Sequence, residues 1–145
     1  METEKLTENI KDALRKIGEK AGFICKNEYS IKLKSNSKEI ARIDHVWMIE
    51  EPIRKEKIPF ITFEININPN SINMKKIKGD IMNLRLAGAA KGFLILPFER
   101  AEKEYEKPPW AKDRNSLEKV IFEMGKSFRV ESLDMDVVLF RAEKI

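Results

Sequence analysis

The stretch IPFITFEININ (58–68) constrains the fold more than any other. Ile61, Phe63, Ile65 and Ile67 share one face of an extended chain and Thr62, Glu64, Asn66 and Asn68 the other, the period of a half-buried strand. After the breaker Pro69-Asn70-Ser71, Met74, Ile77, Ile81, Leu84 and Gly88 return at helical spacing up to about Lys91. FLILP (93–97) then forms an uninterrupted apolar run, which suits a strand covered on both faces. Such strands pair in parallel across a helical crossover of right-handed sense. The expected unit is strand 58–68, helix 71–91 capped by Ser71 and ended by Gly92, and strand 93–97.

Upstream, Leu6, Ile10, Ala13, Leu14 and Ile17 predict an amphipathic helix over Thr3 to Lys20, with Gly22 as its stop. FICK (23–26) reads as a short extended piece, YSIKLK (29–34) as an alternating strand, SNSK (35–38) as a turn and EIARIDHVWMI (39–49) as a longer strand. A charged loop, 50–57, leads into 58–68, so the three strands predict an antiparallel meander. Downstream, the charged stretch 99–115 reads as a surface loop or lid. Asn115 with Glu118 predicts a capping box on a helix to about Lys126, buried through Leu117, Val120, Ile121 and Met124. FRVES (128–132) and DVVLFRA (136–142) predict two further strands. The expectation is one α/β domain with an α-β-β-β-α-β core over 4–97, a mixed sheet flanked by helices, and an extension, 98–145, of a helix and two strands.

A chain of 145 residues suits a single domain burying roughly 70% of its unfolded surface. No stretch reaches the roughly 18 consecutive apolar residues of a membrane span, and the charged, helical N-terminal segment is unlike an export signal. Cys25 is the single cysteine, so no intramolecular disulfide forms, and one Cys with one His does not make a tetrahedral zinc site. These features predict a cytoplasmic protein. Twenty Lys, 18 Glu and 18 Ile with no Gln resemble the composition of proteins from hot environments. The net charge is +4, and residues 71–91 alone carry Lys75, Lys76, Lys78, Arg85 and Lys91 against Asp80, which is 5 − 1 = +4. That excess suits a polyanion; a merely solvated helix face is an equal alternative.

Arg42, Asp44, Val46 and Met48 share one face of their strand, opposite Ile43, His45, Trp47 and Ile49. Pairing through the 50–57 loop sets Asp44 beside Glu64, and Glu64 lies on the same side as Asn66. Adjacent carboxylates repel unless a cation sits between them, and Mg2+, with its preference for oxygen ligands, answers that need. The competing readings are a wet sheet face for Glu64 and Asn66, and a structural ion pair of Asp44 with Arg42 or a lysine. His45, on the face of Ile43 and Trp47, reads as a packed, hydrogen-bonded histidine. Trp110 reads as packing its loop onto the domain, with base stacking as the alternative. Glu8 falls opposite Leu6 and Ile10 and has no assigned role.

ARIDHVW followed about twenty residues later by ITFEIN, behind a helix and ahead of a basic helix and an apolar strand, resembles the PD-(D/E)xK nucleases, the restriction-endonuclease-like fold, over roughly 4–97. The resemblance implies Mg2+-dependent, or Mn2+-dependent, hydrolysis of phosphodiester bonds in nucleic acid, DNA first. Asp44 and Glu64 match the family's metal-binding acids, joined by a backbone carbonyl near Ile65; Asn66 falls where the family most often has lysine and would orient a water. The missing positive charge would come from Lys75 or Lys78, with a phosphate site at the N–H groups of Ser71 to Asn73 and nucleic-acid contacts from Lys75, Lys76, Lys78 and Arg85. Archaeal Holliday-junction resolvases of this family have similar size and basicity and are dimers, which makes a homodimer a further expectation. The alternative is a non-catalytic nucleic-acid-binding or protein-interaction module on the same fold.

Overall fold

The computed structural model describes residues 3–100 and 109–145. Helix α1 (Thr3–Lys20) leads into an antiparallel meander of β1 (Ile24–Lys32), β2 (Glu39–Glu50) and β3 (Lys57–Ile65). A 3-10 turn (Pro69–Ser71) and helix α2 (Met74–Leu86) then cross over to β4 (Lys91–Leu96), parallel to β3. A second short turn (Ala111–Asp113), α3 (Arg114–Phe128), β5 (Val130–Asp134) and α4 (Met135–Glu143) complete the described chain. The sheet is mixed, in order β1-β2-β3-β4-β5, with β4 and β5 parallel. The result is an α/β architecture with helices on both faces, in the expected order α-β-β-β-α-β. Among the described residues no helix is long and apolar enough to cross a membrane.

Two cores follow from the two faces. On one, Ile77, Ile81 and Leu84 of α2 and Leu117 and Ile121 of α3 pack with Leu94, Leu96 and Val130. On the other, Ile10 and Leu14 of α1 and Met135, Val138 and Ala142 of α4 pack with Phe63 and Ile95, with Trp47 and Phe93 at the margin. Strand β4 feeds both clusters, which is why FLILP is apolar at successive positions.

The sequence expectations are corrected at several ends. FICK and YSIKLK form a single strand, β1. Helix α2 is capped by Asn73, whose side chain accepts from the Lys76 N–H at 2.9 Å, and not by Ser71, which closes the turn capped by Asn68. It stops at Leu86, with Gly88 left-handed after it (φ 65), while Gly92 lies inside β4. Strand β3 ends at Ile65. The capping box at Asn115 does not form: Asp113 is the N-cap of α3, with no side-chain capping bond, and Asn115 lies within the helix.

The largest correction is DVVLFRA (136–142), which is not a strand but most of α4. Asp134 caps it by accepting the Asp136 N–H at 2.9 Å, and Met135, Val138 and Ala142 form a helical stripe against α1. The extension is therefore helix, strand, helix. Of the expected loop at 99–115, residues 101–108 lie outside the described residues. Trp110 is 2% exposed and packs on Phe98 at 4.7 Å between ring centres, so it is a core side chain and has no exposed face for a base.

Candidate functional site

The β2–β3 register pairs His45 with Phe63 and Val46 with Thr62, which brings Asp44 opposite Glu64. The two acids are tied to each other's strands. The Asp44 N–H donates to Glu64 Oε1 at 3.0 Å, and the Ile65 N–H donates to Asp44 Oδ2 at 2.7 Å. Such exchange takes the place of a ladder bond and orients both carboxyl groups. Asn66, just past the end of β3, keeps the strand's course because its N–H donates to Ile95 O at 2.9 Å. Its side-chain Nδ2 donates to Asp80 Oδ2 at 3.4 Å.

Asp80 is the member of the site that the strands do not announce. It enters from α2 between Ile77 and Ile81, is 2% exposed, and hydrogen-bonds with Glu64 as well as Asn66. Lys76, one turn earlier, places its Nζ 3.0 Å from Asp80 Oδ1. Glu64 and Asn66 are 5% and 4% exposed, so this is not the wet face of a sheet.

Burial governs the electrostatics. Desolvation, followed by the charges of Asp44 and Asp80, pushes the Glu64 carboxyl up to about 9. Asp44 is raised by burial, against the Ile65 N–H bond and Lys11, with Glu28 adding to the rise. Asp80 is raised by burial despite its bonds to Lys76, Glu64 and Asn66. Burial pulls Lys76 down, but its hydrogen bond to Asp80 and that residue's charge outweigh it and raise the ammonium. Three carboxyl groups thus share a desolvated space with more negative charge than Lys76 offsets, and the proton held by Glu64 is the compensation.

The other singled-out residues fall elsewhere. Lys75 and Lys78 are exposed on α2, and the lysine that reaches the acids is Lys76 between them. Lys75 and Lys76 line an open cleft of about 340 Å³ with Asn73, Gly79, Asp80 and Asn83. Arg85 lies over the Phe128 ring at 4.6 Å, and Lys91 pairs with Glu131 at 2.7 Å. At the proposed N–H phosphate site, Ser71 N is taken by Asn68 O. Arg42 pairs with Glu39, not Asp44. His45 is fully buried, its Nδ1 2.6 Å from Asn27 Oδ1. Burial first, then Arg15 and Lys11, pull it down to about 4, so it is neutral and packed.

Sequence reasoning missed Asp80 and chose Lys75 and Lys78 over Lys76. The signal was present: Asp80 is the single acid in 71–91 and sits in the phase of Ile77 and Ile81, so a buried acid on the sheet-facing side of the helix is what the wheel implies.

The donor set is chemically suited to a hard cation: oxygen ligands, excess negative charge and low permittivity. Among the described residues no group of three or more His, Cys, Asp or Glu is arranged to hold a metal ion. Asp44 and Glu64 are the two carboxyl groups that meet across the strands, and one or two carboxylates with several waters are what Mg2+ ordinarily takes. No family model and no curated protein matches the chain.

Proposed function

We propose that the chain is a Mg2+-dependent nuclease of the restriction-endonuclease-like fold, hydrolysing phosphodiester bonds in nucleic acid, with DNA as the first substrate class to test. The observation that carries this reading is the reciprocal bonding of Asp44 and Glu64 on adjacent antiparallel strands, in a buried cluster whose carboxyl groups are all raised.

Asp44 and Glu64 would hold the ion. Bound there, it would supply Lewis acidity toward the phosphate and a lowered pKa for an attacking water. Glu64 holds a proton at neutral pH and must release it to act as a ligand, so binding is coupled to proton release. Asn66 carries no charge, so the cation that would face the phosphate is Lys76, paired with Asp80 and half-exposed at the rim. Lys75 and Lys78, exposed on the same helix, would contact flanking phosphates and position the strand.

Calorimetric titration with Mg2+ and Mn2+, run beside a DNA cleavage assay, tests the reading. Wild-type chain is expected to bind one divalent ion with proton release and to cleave. The Asp44→Ala, Glu64→Ala double variant loses both, cleavage by roughly 10³-fold or more. Equal metal affinity in the two proteins defeats it. The near-complete burial of Glu64, Asn66 and Asp80 favours a second reading, a non-catalytic nucleic-acid-binding module. Salt-sensitive DNA binding without metal-dependent cleavage is its signature.

A further inference from the structure

The row of acids across the sheet extends beyond Asp44. The β1–β2 register pairs Asn27 with His45 and Tyr29 with Ile43, which sets Glu28 opposite Asp44 on one side as Glu64 is on the other. Glu28 leaves the regular strand at that point. Its backbone is left-handed (φ 53), a conformation uncommon for a residue with a side chain. What holds the side chain is Lys11, with Nζ 2.6 Å from Glu28 Oε1.

Lys11 belongs to α1, where it stands among the buried Ile10, Ala13 and Leu14 with a side chain only 9% exposed. Glu8 lies farther off at 3.7 Å and is 65% exposed. An ammonium this buried is rare on a helix that has solvent on its other side. The charges that act on it are acidic: Glu28 is its hydrogen-bonded partner, while Glu8 and Asp44 act on it through their charge. It thus stands beside the acid that the register sets opposite Asp44.

We propose that Lys11 is a positioning residue of the acid site: by binding Glu28 it withholds a further carboxylate, beyond Asp80, from Asp44 and Glu64, and so keeps places on a bound divalent ion open for water and phosphate. The inference rests on the metal-dependent reading above. A further carboxylate would tighten binding, because charge and ligand number both rise, and would fill a place that a reacting water needs.

Lys11→Met keeps the apolar stem and removes the ammonium. The expected result is Mn2+ binding about ten-fold tighter, with kcat for DNA cleavage lower by roughly 10- to 100-fold, the range seen for groups that orient metal ligands. Adding Glu28→Gln to Lys11→Met returns both quantities toward wild type, and Lys11→Arg leaves them near it. A structural role alone does not tighten metal binding. A Lys11→Met chain with a lower Tm but unchanged Mn2+ affinity and kcat, or a double variant that behaves like Lys11→Met, overturns the inference and leaves the metal-dependent reading standing. Absence of Mn2+ binding by the wild-type chain overturns both.

Discussion

Phe63 and Glu64 are neighbours in the chain and opposites in the fold. Phe63 looks toward α1 and α4, where it meets Trp47 edge-on at 4.7 Å and stacks with Phe93 at 5.7 Å. Glu64 looks toward α2, into a desolvated space shared with Asp44 and Asp80. The first face joins groups that gain from leaving water. The second joins groups that lose by it and are compensated by a proton and by Lys76. The cost is confined to that carboxyl patch, because the same side of the sheet also carries the apolar cluster of Ile77, Ile81, Leu84, Leu94 and Leu96, and the apolar contacts on both sides offset it.

The comparison can be broken at Phe63. Phe63→Ala should lower stability by about 3–5 kcal/mol in denaturant titration, as for a large aromatic removed from a packed core, while the folded fraction keeps its Mn2+ affinity. A small loss would mean that the aromatic cluster contributes little to stability.

Gly18 tests the same face by crowding. A Cβ there would run into Trp47 Nε1 and Cys25 Sγ, and Trp47 is fixed by donating its Nε1–H to Leu14 O at 3.0 Å. Gly18→Ala should therefore cost about 1–3 kcal/mol, read as a lower Tm.

The acid face should respond with the opposite sign. The Glu64 carboxyl rises from 4.5 in the unfolded chain to about 9 when folded. Its contribution is whole below pH 4.5 and is lost as pH rises through about 9. Metal-free protein should lose stability over that interval with a slope of up to ~1.4 kcal/mol per pH unit. Glu64→Gln should flatten the slope and raise stability at pH 7 by about 1–3 kcal/mol while abolishing metal binding. His45 works the other way: lowered from 6.5 to about 4, its contribution is whole above pH 6.5 and is lost as pH falls through 4. A Glu64→Gln chain as pH-sensitive as wild type would show that the acid face carries no electrostatic debt.

The smallest structural effect belongs to the exposed lysines. Lys75→Glu with Lys78→Glu should change stability by no more than about 0.5 kcal/mol, yet lower the slope of log binding against log salt for DNA by roughly two units. An unchanged slope would separate α2 from the nucleic-acid surface.

Much of this was open to sequence reasoning because it is local. Alternation over 39–49 and 58–68, joined by a short loop, leaves little freedom of register, since a slip of one residue would turn Phe63 to the wrong side. The adjacency of Asp44 and Glu64 needs one thing more: a bulge between Trp47 and Met48 shifts the register by one residue, without which the loop-end pairing of Glu50 with Lys57 would set Asp44 opposite Phe63. Helix α1 and strand β4 were likewise marked by their own periods, 3.6 residues in one and none in the other.

Residues 134–145 show where local pattern stops. An apolar run of this length reads equally as strand or helix, and the surface of α1 chose helix because Met135, Val138 and Ala142 could be buried there together. The same holds for the site's outer members. Residue order determined the two acid-bearing strands and the basic helix after them, and the bulge at Trp47 and Met48 aligned the acids. Only the folded chain decided that Asp80 and Lys76 face those acids from α2 while Lys11 holds Glu28 from α1, because helix phase and strand twist set those meetings across the sheet, beyond the reach of any neighbouring residues.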